Sequence, residues 1–160
     1  MPTELKKEEI RRAQPADTSE ILKCLAEAFA PYRDRYTLEA FADTVLDEFS
    51  VRNRMQDMHL LVAASGGGIV GTVGFAVGEN GEGHLRGMAV LPSVRGTGIA
   101  SRLLAAVEAD LRNLGCTRVT LDTTLPLETA MKFYEKHGYI RSGRVADFFG
   151  MQLIEYVKQL

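Results

Sequence analysis

The chain has 160 residues, enough for one domain with its own core, since about 100 to 200 residues per domain is usual. Its 19 basic and 21 acidic side chains nearly balance, which excludes the strongly positive face that nucleic-acid binding requires. Its two cysteines, Cys24 and Cys116, match neither a disulfide framework nor a metal or redox spacing. The amino terminus lacks the apolar core of a signal peptide, and no apolar run approaches the ~20 residues of a membrane span. The expectation is a cytoplasmic single domain over residues 1–160, with no nucleic-acid, membrane or metal partner.

Residues 9–13 read as a short first strand before Pro15, and Asp17 or Thr18 caps a helix that carries Ile21, Leu22, Leu25 and Phe29 at helical spacing. Pro31 to Tyr36 interrupts the periodicity. Thr37 then caps a second helix with Phe41, Val45, Leu46 and Phe49. Residues 59–64 and 69–77 are apolar, β-branched-rich runs around Gly66, Gly67 and Gly68, a hairpin signal. A turn at Asn80 to Gly83 leads into a third antiparallel strand over 84–90. From Gly98, the spacing of Ile99, Leu103, Val107, Leu111 and Leu114 predicts a helix stopped by Gly115. Residues 119–123 read as a strand. Pro126 sits near the start of the next helix, where a missing N–H costs little, and 139–145 and 152–157 form the last two strands around a turn at 144–151.

The most informative run is Met88 to Ser101, where an apolar strand passes through Arg95, Gly96, Thr97 and Gly98 into the helix that begins Ile99, Ala100, Ser101. The two glycines allow backbone conformations closed to other residues. The helix start offers N–H groups without intrahelical partners, and the helix dipole favours an anion there. Arg95 adds a planar fork of donors suited to phosphate oxygens. This is the pattern of a pyrophosphate cradle. It is not a P-loop, which needs Lys and then Ser or Thr after its last glycine. It also lies too far along the chain for the opening unit of a dinucleotide fold.

Arg95, Gly98 and Ala100 resemble motif A of the GCN5-related N-acetyltransferase (GNAT) family, Arg or Gln, two residues, Gly, one residue, then Gly or Ala. Downstream, Ala130, the pair Phe133-Tyr134, Gly138 and Tyr139 resemble its motif B. The resemblance implies an α/β (α+β) acyl-CoA acyltransferase fold, a mixed central sheet of about seven strands flanked by about four helices, which agrees with the element order above. It implies acetyl-CoA as acetyl donor. The backbone of Met88, Ala89 and Val90 would pair with the pantetheine arm, the cradle of Arg95 to Ser101 would hold the pyrophosphate, and Tyr134 would protonate the leaving thiolate. Leu127 departs from the family pattern, where many relatives carry a cofactor-contacting Asn. The base is left open among His84, Glu82, Asp122 and a water chain. His84 is favoured because imidazole titrates near neutrality and alternation puts it on one strand face with Arg86 and Met88.

Tyr32, Arg33 and Tyr36 lie between the first two helices, which border the acceptor groove in the family. With Asp122 they are the candidate substrate contacts, pointing to a polar, carboxylate-bearing acceptor. Phe148 and Phe149 either wall that site or cover a contact in a homodimer. The activity expected is acetyl transfer to a primary amine of a small molecule or peptide within a ternary complex, with a non-catalytic acyl-CoA sensing module as the alternative.

Overall fold

A computed structural model describes residues 8–160. Seven strands form one sheet in the order β1-β2-β3-β4-β5-β7-β6, where β1 is Glu9–Arg12, β2 His59–Ser65, β3 Gly68–Val77, β4 Glu82–Val90, β5 Arg118–Thr124, β6 Ile140–Phe148 and β7 Met151–Gln159. Every neighbouring pair is antiparallel except β4 with β5. That parallel pair needs a crossover, which is supplied by helix α4, Ile99–Asn113.

Helices cover both faces of the sheet. On one, Leu103, Val107 and Leu111 of α4, with Met131 and Tyr134 of α5 (Glu128–Lys136), join Phe75, Leu85, Leu121 and Tyr156 in one core. On the other, Ile21, Leu25 and Phe29 of α1 (Thr18–Phe29) and Val51 pack on Leu60, Val62 and Ala89. Leu103 is fully buried, so its truncation to Ala would cost about 2–5 kcal/mol.

Three expectations are corrected, the third in β4. The second predicted helix is two, α2 over Leu38–Thr44 and α3 over Glu48–Asp57, making five α-helices among the described residues. Thr37 caps α2 as expected, its hydroxyl accepting from the Ala40 amide at 3.2 Å. Val45 then turns extended, and Asp47 caps α3 through the Ser50 amide at 2.8 Å. Phe49, read as core, is 73% exposed because α3 restarts the helical phase. The expected turn at 144–151 is also much shorter: β6 continues to Phe148, and only Phe149 (φ 49°) and Gly150 (φ 88°) separate it from β7. Two successive positive φ values make the tight hairpin turn that follows strand twist.

A bulge interrupts β4. Arg86 lies opposite Gly74 and Ala89 opposite Thr72, so Val73 faces both Gly87 and Met88. Gly87 takes φ 68°, a conformation open to glycine. The extra residue shifts the alternation: Leu85 and Met88 share the α4 face, while His84, Arg86 and Ala89 look the other way. Met88 therefore does not share a face with His84, contrary to simple alternation.

Candidate active site

The parallel pairing of β4 with β5 is short. It starts at Glu82 opposite Arg118, whose side chains form an ion pair, and ends at Leu85 opposite Leu121. Beyond that point the strands separate. Ala89 and Val90 remain paired to β3 on one side, opposite Thr72 and Gly71, while Met88 lies in the bulge. Their other edge faces the gap, where backbone N–H and C=O groups need a partner. Glu82, one candidate base, is committed to Arg118 at the closed end.

The free edge leads directly into the glycine loop. Leu91 opens a single 3-10 turn at Pro92–Val94, followed by Gly96 at φ 79° and Gly98 at φ 88°. The Thr97 amide and hydroxyl both return to the Val94 carbonyl, at 3.3 and 2.5 Å, tightening the loop. Arg102 is the residue whose amide closes the first bond of α4, to the Gly98 carbonyl at 3.0 Å, which leaves the amides of Ile99, Ala100 and Ser101 pointing out of the helix end. A Cβ placed on Gly96 or Gly98 would meet nothing within 4 Å, so space in front of these donors is open. The donor set suits an anion.

Side chains around the cradle are already engaged. Arg95 reaches back to the Ala28 carbonyl near the end of α1 at 3.4 Å, and Arg102 pairs with Glu8 at 3.2 Å. His137 joins the two helices on this face: its Nδ1 lies 2.8 Å from the Phe133 carbonyl and its Nε2 3.1 Å from the Ser101 hydroxyl. A carbonyl only accepts, so Nδ1 carries the proton, and in the neutral ring Ser101 donates to Nε2. Ser101 is left with its backbone amide for a ligand.

Tyr134 is 7% exposed on the same face, edge-on to Tyr139 at 5.8 Å. Burial pushes its phenol well above the usual range, which keeps it protonated and a donor at neutral pH. At Leu127, α5 begins without a side-chain cap, the bond an Asn there would supply.

The opposite face carries the polar groups. His84 Nδ1 lies 2.8 Å from the Thr120 hydroxyl and its Nε2 3.6 Å from Asp122. Burial raises the Asp122 carboxyl, reinforced by neighbouring Glu155 and opposed by His84, Arg86 and Arg144. Tyr36 bonds the Thr124 hydroxyl at 2.5 Å, placing it two residues from Asp122 along the same face of β5. Arg33 lies over the Phe41 ring at 5.6 Å, and Tyr32 packs on the α1-side core. The Phe149 carbonyl accepts from Thr37 at 2.8 Å, so the β6–β7 turn reaches over to the start of α2 and borders this groove. The candidate acid and base thus sit on opposite faces of the sheet, with the β4–β5 gap between them.

Sequence reasoning placed Arg86 on the His84 face but missed two neighbours here, Asp43 and Arg54. Arg86 pairs with Asp43 of α2 at 3.1 Å, and the guanidinium of Arg54 of α3 lies against the bulge, its Nη1 only 2.7 Å from where a Gly87 Cβ would be. A glycine in mid-strand was the available signal, since it marks a bulge or a close approach. Among the described residues no group of three or more His, Cys, Asp or Glu side chains is placed to hold a metal, and no helix is long and apolar enough to cross a membrane.

The sequence matches the acetyltransferase (GNAT) family over residues 20–139. It is 28% identical over 140 residues to an aminoalkylphosphonate N-acetyltransferase of Salmonella typhimurium, covering 84% of this chain and 86% of that one. The fold resembles that of PaiA N-acetyltransferase from Thermoplasma acidophilum in complex with coenzyme A, with a TM-score of 0.79 at 18% identity over 96% of this chain and 99% of that one. A GCN5-related N-acetyltransferase from Rhodopseudomonas palustris gives 0.80 at 21% identity, with both chains covered over 100%.

Proposed function

Because the chain belongs to the GNAT acetyltransferase family and is therefore an acyltransferase, we propose that it transfers acetyl from acetyl-CoA to a primary amine by direct attack in a ternary complex. The observation that carries this is that the edge of β4 left without a strand partner beyond Leu85 leads, through the glycine loop, to the unpaired amides of Ile99, Ala100 and Ser101. An amide-bearing arm extends β4 in place of a strand, and the diphosphate meets the helix start.

In this reading the chemistry takes place in the gap. The amine approaches from the His84 face, where the imidazole, oriented by Thr120, takes its proton directly or through a water. Nitrogen forms the new bond to the acetyl carbonyl carbon as the carbon–sulfur bond breaks. Tyr134, held protonated by burial on the other face, donates its proton to the departing thiolate. Tyr36, Tyr32, Arg33 and Asp122 border the acceptor. Arg95 serves the diphosphate by leaving Ala28 and turning its fork outward. Holding both reactants in one gap supplies much of the rate.

The test is thiol release from acetyl-CoA against a panel of amino acids, polyamines, aminoglycosides and amino-terminal peptides, with calorimetry of acetyl-CoA alone. Tyr134-dependent release with an amine acceptor supports the proposal, whereas tight binding with no release across the panel refutes it.

A further inference from the structure

We infer that the acceptor is an anionic amine, a compact molecule carrying a carboxylate or phosphonate beside its primary amine, and that Arg54 with Arg86 reads the oxyanion. This deepens the proposed acetyl transfer and rests on it. Arg54 sits on α3 with its guanidinium packed against the β4 bulge, at the point where β4 turns from its His84 segment to its cofactor-facing segment. No carboxylate is within ion-pair distance of it among the described residues, because nearby Asp43 is engaged with Arg86 at 3.1 Å. Its guanidinium is held down at about 10 by burial first and by the charge of Arg86 second, with Asp43 only partly offsetting them.

A partly buried guanidinium beside a second guanidinium, with the nearby carboxylate of Asp43 bonded to the second one, is an unfavourable arrangement for the protein alone. An oxyanion in the groove removes the imbalance, and the planar fork of Arg suits the paired oxygens of carboxylate or phosphonate. The charge pattern along the groove is polar from end to end. Arg54 and Arg86 lie at the bulge, while His84, Asp122 and Glu155 supply the side that accepts an ammonium. His84 and Arg86 are two residues apart on one strand face, or about 7 Å, so the two charged groups of the acceptor are separated by only a few bonds. Glycine at position 87 is required twice, for its φ of 68° and because a Cβ would occupy the space of Arg54 Nη1.

The test compares matched amines, 2-aminoethylphosphonate and β-alanine against ethanolamine and propylamine, in thiol release from acetyl-CoA. The same anionic amines are titrated by calorimetry into CoA-loaded protein. The wild type should favour the anionic members by about tenfold or more in kcat/KM. In Arg54→Gln that preference should fall about ten- to a hundredfold, mainly through KM, as expected for a lost charge-assisted bond. Arg54→Lys, which keeps the charge without the fork, should recover part of it, and thermal melts show that each variant is folded. Comparison of phosphonate with carboxylate identifies the preferred oxyanion. Neutral amines acetylated as well as their anionic partners, or Arg54→Gln slowing both classes equally, would overturn this inference and leave acetyl transfer standing. Absence of release with every amine would overturn the transfer reading. In that event, loss of calorimetric 2-aminoethylphosphonate binding in Arg54→Gln still supports the oxyanion site, and absence of binding to wild type rejects it.

Discussion

Gly98→Glu tests the cradle most directly, because the structure separates its effect on folding from its effect on the ligand. Gly98 takes φ 88° at the cap of α4, so any side chain there costs about 1–2 kcal/mol of backbone strain. A Cβ meets nothing within 4 Å, so no steric term adds to it. For a chain of this size that strain lowers the melting temperature by about 2–8 °C, and the fold survives. Gly98→Ala carries the same strain without the charge. The ligand effect is larger: a carboxylate placed before the amides of Ile99, Ala100 and Ser101 repels a diphosphate and competes for those donors. Losing two charge-assisted bonds of about 1.5–3 kcal/mol each weakens acetyl-CoA by roughly a hundred- to ten-thousandfold. Calorimetry of acetyl-CoA on both variants, beside their thermal melts, makes the comparison. Wild-type affinity in a folded Gly98→Glu would refute the cradle.

Other outcomes follow from the same geometry. Tyr134→Phe should lower kcat about a hundredfold with the acetyl-CoA affinity kept within about twofold, since the ring remains packed on Tyr139 and only the proton is lost; steady-state kinetics with the identified amine decides it, and full turnover removes the acid role. His84→Gln keeps a polar partner for Thr120 but cannot take the proton of the amine, so kcat should fall about a hundredfold with acetyl-CoA affinity unchanged; full turnover dismisses His84 as the base. Asp17→Asn breaks the two-bond pair with Arg11, at 2.8 and 2.9 Å, which lowers the Asp17 carboxyl more than burial raises it. A lowered carboxyl stabilises above its unfolded value and loses that contribution as pH falls through its folded one. The variant should therefore melt roughly 2–8 °C lower at pH 7, for about 1–2 kcal/mol, and the gap should close as the pH is lowered into the acid range.

Much of the fold was legible because its signals are local. The α4 stripe of Ile99, Leu103, Val107 and Leu111, the capping hydroxyl of Thr37 and the Gly96–Gly98 loop each act within a few residues, and each is found where its pattern places it. The break between α2 and α3 escaped because Val45 and Leu46 continue an apolar spacing that the backbone abandons at Val45. The bulge escaped for a different reason: strict alternation has no signal for an extra residue except Gly87 itself, so Met88 was put on the wrong face. Arg54 was invisible for lack of any motif. It lies in a polar stretch of α3 and reaches β4 only through tertiary packing.

The sheet is two contiguous stretches of chain. Strands β1 to β4 come from residues 9–90 and β5 to β7 from residues 118–159, each stretch antiparallel within itself. Among the described residues the pairing of Glu82 to Leu85 with Arg118 to Leu121 is their only ladder. Such a molecule has a seam. One apolar core spans both blocks, so side-chain packing holds the seam where the backbone ladder is four pairs long, and amide exchange at Glu82 to Leu85 reads how firmly it is held. A molecule bridging the seam adds free energy in proportion to the logarithm of its concentration over its Kd, so the supply of such a molecule sets how firmly the halves are joined and how readily a protease finds them apart.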